Sequence, residues 1–140
     1  MKLKLTHVTV VVKDQEEALK WYTEKLGFEK RADDSTTMPG MRWLTVDPPG
    51  QTEPEIVLNQ PDTRVMGKEH DEMMDRLRSM IGKNPPMVLW TDNCMQAYDE
   101  LMKRGVKFTF PPQKQPWGLS AVFVDLYGNQ YNLLEPPAHM

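Results

Sequence analysis

The sequence predicts an α+β fold made of two βαβββ modules. Three observations predict it. The order strand, helix and three strands occurs twice along the chain. The two copies keep glycine and aspartate at matching turns and caps. A polar segment of different character lies between them. The modules span 1–60 and 85–140, joined by a connector at 61–84, within one domain of 140 residues.

In module one, Leu5 to Val12 reads LTHVTVVV, a β-branched run that suits a strand. Asp14 then offers a side-chain oxygen to the next helix, with Glu17 completing an aspartate form of the capping box. Ala18, Leu19, Tyr22 and Leu26 recur at helical spacing, and Gly27 ends the helix. Phe28 to Ala32, Met41 to Val46 and Glu55 to Asn59 predict three further strands. A turn at Asp47-Pro48-Pro49-Gly50 joins the last two.

The connector predicts a helix over Asp71 to Ile81, with Met73, Leu77, Met80 and Ile81 on one face. It reads as a surface helix between modules, with a methionine-lined flap beside a pocket as the alternative. In module two, Met87 to Trp90 predicts a strand and Asp92 a helix cap. Ala97, Tyr98, Leu101 and Met102 form the apolar helix face, and Gly105 ends it. Val106 to Phe110, Leu119 to Val124 and Gln130 to Leu134 follow as strands, with a turn at Asp125 and Gly128. Displacing the chain by 78 residues lays Asp14 on Asp92, Gly27 on Gly105, Asp47 on Asp125 and Gly50 on Gly128. These positions restrict backbone geometry, so their agreement points to duplication.

Composition narrows the function. Hydrophobic residues make up 39% and charged residues 26%, which suits a folded domain with a polar surface. There are 17 Lys and Arg against 20 Asp and Glu, a net charge of −3, with no basic run. A nucleic-acid partner is not expected, since phosphate binding needs clustered cations. The apolar stretch Val8 to Val12 falls far short of the roughly 20 residues a membrane span requires, so no membrane partner is expected. Lys13 and Asp14 end that stretch and no small-residue cleavage site follows, so no signal peptide is read and a cytoplasmic location is expected. The single Cys94 excludes an intrachain disulfide and a cysteine-rich zinc site. It lies just past a helix cap, where free N–H groups favour a thiolate, but no motif supplies a base, so it reads as a small unreactive thiol.

The stretches THVTVVVKDQEEALKWYTEKLGFE, TDNCMQAYDELMKRGVKF and QPWGLSAVFVDLYGNQYNLLEP, set in two βαβββ modules, resemble the vicinal-oxygen-chelate superfamily. That group includes glyoxalase I, bleomycin-resistance proteins and extradiol dioxygenases. The resemblance covers nearly the whole chain outside the connector. It implies curved mixed sheets that together form a cup, and a homodimer. It also implies metal ligands early in the first strand and within the last strand of each module. Carried onto this chain, those positions fall on His7, Val57, Pro86 (or Pro85 in a shifted register) and Asn132. Only His7 matches. Val and Pro offer no donor atom, and Asn132 replaces an expected acidic residue. Such a set does not make a normal divalent-metal site, so no metal cofactor is expected, although Glu55 shares a strand face with Val57.

Strand alternation puts Trp90 on the face of Val88 and Pro86, and Asn59 on the face of Val57. Gln130 and Leu134 share the face of Asn132, and Glu135 has the opposite parity. Phe108 and Phe110 are expected to share a face, and Trp117 lies at a turn beside them. His7, Trp43, Val57, Asn59, Trp90, Phe108, Trp117 and Asn132 are therefore the candidate ligand-binding residues, and no catalytic residue is identified. His70 and His139 read as solvated. Two functions are consistent with this pattern. One is a metal-poor member that binds a small aromatic or amphipathic molecule, as bleomycin-resistance proteins do. The alternative is a metal-dependent enzyme resembling lactoylglutathione lyase or an extradiol dioxygenase, which would need the metal to polarise substrate oxygens.

Overall fold

The computed structural model describes residues 1–38, 40–61 and 71–138. His70 and His139 lie outside the described residues, as does most of the connector before residue 71. The chain divides into two compact units, Met1–Gly82 and Lys83–Met140.

The first unit contains β1 (His7–Val11), α1 (Gln15–Glu24), β2 (Glu29–Asp34), β3 (Trp43–Asp47), β4 (Glu55–Asn59) and α2 (Asp71–Arg78). The second contains β5 (Met87–Trp90), α3 (Cys94–Lys103), β6 (Lys107–Gln115), β7 (Gly118–Val124) and β8 (Gln130–Glu135). Each unit holds one four-stranded mixed sheet, in the order β1-β4-β3-β2 and β5-β8-β7-β6. In both, the first strand runs parallel to the last and the other pairings are antiparallel. The duplicated α+β, βαβββ architecture expected from the sequence is thus observed.

Local chemistry explains the elements. The Asp14 side chain accepts from the Glu17 N–H at 2.9 Å and starts α1. Gln15 secures that helix end to the sheet: its Nε2 donates to the carbonyls of Arg42 and Leu58, both at 2.9 Å. Val10, Leu44, Val46, Ile56 and Leu58 are buried on the face that α1 covers, together with Ala18 and Tyr22 of the helix. In the second unit the cap is Asn93, not Asp92. Its side chain accepts from the Gln96 N–H at 3.0 Å, whereas Asp92 is exposed. Both residue types cap well, so composition cannot choose between neighbours; the position of the first helical turn does. At the other end Gly105, with φ 90°, closes a Schellman motif: its N–H donates to Met102 O and the Val106 N–H to Leu101 O, each at 3.0 Å.

The connector helix is shorter than expected, ending at Arg78, and it is Met74 that is buried while Met73 and Met80 are exposed. The sixth strand is longer than expected and runs through Pro111 and Pro112. Register shifts between Phe108 and Phe110, and between Phe110 and Gln113, carry those prolines past the ladder they cannot donate to.

Gly118 opens β7 where no side chain fits. Its φ is +134°, and a Cβ there would lie 2.3 Å from Glu135 O. Gly118→Ala is expected to lose at least about 2 kcal/mol of stability in urea denaturation, because a backbone oxygen cannot step aside as a flexible side chain would. A loss within about 0.5 kcal/mol, the ordinary surface range, would show that the start of β7 relaxes freely.

Candidate functional site

The two faces of the second sheet differ. On one, Phe108 packs edge-on to Tyr98 of α3 with centroids 4.7 Å apart, and continues to Phe123 at 5.4 Å and Tyr131 at 5.3 Å. Cys94 is fully buried there, its Sγ 3.7 Å from Leu133 O. Burial and the nearby Glu135 carboxylate push the thiol pKa up, so Cys94 is not an activated nucleophile. Glu135 points to the same side, as its parity predicts, and accepts from the Cys94 N–H at 2.9 Å.

Among the described residues, the other face has no helix from its own unit. Strand register sets out two rows across it. One runs Val88, Asn132, Val122, Phe110; the next runs Trp90, Leu134, Ser120, Gln113. Val88 is 52% exposed, Trp90 65%, Phe110 59% and Trp117 54%, so large apolar surface lies open. A groove of about 320 Å³ occupies this face. Both rows except Trp90 line it, joined by Pro111, Gln115 and Trp117 near the β6–β7 turn. Its size falls at the lower end of small-molecule sites.

The structure therefore brings Asn132 and Trp117 together in one groove and leaves Trp90 on the same face beside it. Phe108 is a correction. The bulge after it reverses the strand parity, so Phe108 faces α3 while Phe110 faces the groove. Gln113, Gln115 and Ser120 were not singled out from the sequence. For the two glutamines the signal was Pro111-Pro112, since paired prolines inside a strand mark a bulge and a shift of face beyond it; Ser120 shares the parity of Val122 in β7.

His7, Trp43, Val57 and Asn59 belong to the first unit. His7 meets Trp43 edge-on with centroids 5.4 Å apart, and its Nδ1 is 2.9 Å from Thr6 Oγ1. Parallel register pairs His7 with Glu55, Thr9 with Val57 and Val11 with Asn59. Thr45, which pairs with Val57, donates to Glu55 Oε1 at 2.5 Å and accepts from the Ala32 N–H at 3.0 Å. Trp43 is set in place by its neighbour: Arg42 forks onto Asp33 at 2.8 and 2.9 Å and reaches Glu16 at 2.6 Å. Arg42 holds the Asp33 carboxyl down at about 2. A notch of about 160 Å³ beside Trp43 is lined by Asp34, Thr37, Met38 and Met41.

The metal positions implied by resemblance do not fit a metal ion by their chemistry. Val57 is a buried aliphatic side chain, and Pro86 precedes β5 and is exposed. Among the described residues, no three His, Cys, Asp or Glu side chains come together in a way that could hold a metal.

The family described as the Glyoxalase/Bleomycin resistance protein/Dioxygenase superfamily matches residues 4–133. Among solved structures, UcmS2 is 40% identical with a TM-score of 0.81, over 96% of this chain and 99% of that one. A superfamily member from Sphaerobacter thermophilus DSM 20745 is 34% identical with a TM-score of 0.74, over 96% and 98%. TnmS3, an antibiotic binding protein from Streptomyces sp. CB03234, is 28% identical with a TM-score of 0.72, over 97% and 98%.

Asp47 gives the first unit an electrostatic feature that can be measured. It ends β3 fully buried; Gln51 Nε2 donates to its Oδ1 at 3.3 Å, and its Oδ2 has no partner among the described residues. Burial pushes its carboxyl pKa above the ordinary aspartate value, with partial relief from Arg31 and a further push from Glu55. A raised folded-state pKa costs stability as pH climbs from the unfolded value through the raised one. Asp47→Asn escapes that cost, so in urea denaturation it should gain on the wild type as pH rises from about 4. A stability difference that does not change with pH would overturn this assignment.

Proposed function

The chain belongs to the Glyoxalase/Bleomycin resistance protein/Dioxygenase superfamily, and on that premise we propose that it binds and sequesters a small aromatic or amphipathic molecule. The observation that carries this reading is the groove on the second sheet, where Trp117 and Phe110 stand exposed around Asn132 and Ser120. Large aromatic side chains left open to water at a concave site favour a flat apolar partner that removes them from water. The antibiotic binding described for TnmS3 supports a ligand of this kind. The site needs no acid, base or nucleophile, because holding the molecule is the function. We further propose that the protein works in the cytoplasm as a homodimer. Each sheet ends in strands paired on one side only within that sheet, and such edges are commonly covered by pairing.

The reading uses no metal. Val57 and Pro86 supply no donor, and Asn132 supplies a neutral oxygen where a carboxylate would be needed. Titration of the purified chain with zinc or nickel is expected to show no one-to-one binding in the micromolar range. Micromolar binding that is lost in His7→Ala would favour the metal-dependent enzyme instead.

For ligand binding, uncharged N-phenyl-1-naphthylamine is a suitable first probe. Its fluorescence is expected to rise on addition of protein, and Trp117→Ala should weaken its affinity about tenfold, the scale of one aromatic face in a binding site. Equal affinity in wild type and Trp117→Ala would remove the groove from consideration.

A further inference from the structure

The groove contains hydrogen-bonding groups that the protein does not use. Gln113, Gln115, Ser120 and Asn132 all line it. Among the described residues, none of their side chains makes a hydrogen bond within the protein. Three primary amides and a hydroxyl therefore face the groove, each able to donate and to accept. No charged side chain lines it. Lys114 lies between Gln113 and Gln115 but is not part of the lining, and Glu135, next to Leu134, turns away to the Cys94 N–H.

From this we infer that the groove selects an uncharged planar ligand bearing both carbonyl and N–H or O–H groups, and that Asn132 is a residue that sets this selectivity. The inference rests on the binding function proposed above and specifies its ligand class. An ion entering the groove would give up water and find no counter-charge. A neutral molecule without polar groups would leave the amides unpaired once water is excluded. A neutral ligand with donors and acceptors avoids both penalties. Asn132 sits mid-sheet, paired with Val88 on one side and Val122 on the other, so whatever lies across the face passes over it. An acidic residue at that position would give the groove a negative charge.

Three tricyclic probes of one shape test this: neutral acridone, cationic 9-aminoacridine and anionic acridine-9-carboxylate. Wild-type protein is expected to bind acridone at least about tenfold more tightly than either ion, as measured by fluorescence titration and equilibrium dialysis. Asn132→Asp keeps the side chain's shape and changes its charge. It should lower acridone affinity and raise 9-aminoacridine affinity, shifting their ratio at least about tenfold. Asn132→Leu should lower acridone affinity without raising that of the cation. An ion that binds wild type as tightly as acridone, with Trp117→Ala weakening both, would overturn the selectivity and leave groove binding intact. An unchanged ratio in a folded Asn132→Asp, verified by circular dichroism, would overturn the role of Asn132. Acridone binding indifferent to Trp117→Ala, or no binding of any probe, would overturn the binding function and this inference with it.

Discussion

The candidate site depends on the parallel pairing of β5 with β8. That pairing sets Val88 beside Asn132 and Trp90 beside Leu134. The antiparallel ladders of β7 and β6 then extend the same rows to Phe110 and Gln113. Because side chains alternate along every strand, one register decides which half of them meets α3 and which half stays open. A slip of one residue would exchange Asn132 for Tyr131 or Leu133, and place an aromatic or aliphatic core residue where a polar one stands. The aromatic stack from Tyr98 through Tyr131 makes such a slip costly, since it would bring those rings into water.

The two units use the same topology for different surfaces. In the first, the sheet face away from α1 carries Thr45 bonded to Glu55, and a buried Asp47 whose carboxyl pKa is pushed up by burial. In the second, the groove on the corresponding side is lined by uncharged residues and is rich in aromatic and amide groups. Turn chemistry also diverged within a common plan. Asp125 accepts from the Tyr127 and Asn129 N–H groups and from Asn129 Nδ2, so that its carboxylate is fully engaged. Asp47 occupies the matching turn with a weaker amide contact from Gln51. Duplication supplied the backbone plan, and each copy settled its own electrostatics.

Much of this architecture was legible in the sequence because caps and turns are chemically narrow. Asp14, Gly27 and Gly105 each do what their residue type suggests, and strand alternation correctly put Trp90 with Val88 and turned Glu135 away. What was not legible followed from local shifts of one residue. Thr91-Asp92-Asn93 offers three possible caps in a row, and only the helix start selects Asn93. The bulge after Phe108 carries no residue type of its own, yet it moves Phe108 to the core side and Phe110 to the groove. The groove residues Gln113 and Gln115 were obscure for the same reason: their facing depends on two register shifts upstream, and a period-two count cannot pass through those unaided, whereas Ser120 alternates regularly with Val122 along β7.

The geometry of the groove also has a temporal side. The β6–β7 ladder closes across the short link between Gln115 and Gly118, whereas β5 reaches β8 only when residues as distant as Val88 and Asn132 meet. Loop-closure entropy makes the short-range ladder the earlier event and the long-range one the later. The strand that carries Val88 and Trp90 is also short and at the sheet's edge. Edge strands joined by distant contacts are among the first to open in native-state fluctuations. The groove thus has one wall built early into a hairpin and one wall added last, and a molecule seated between them would act as a clasp, slowing amide exchange along β5 more than along β7.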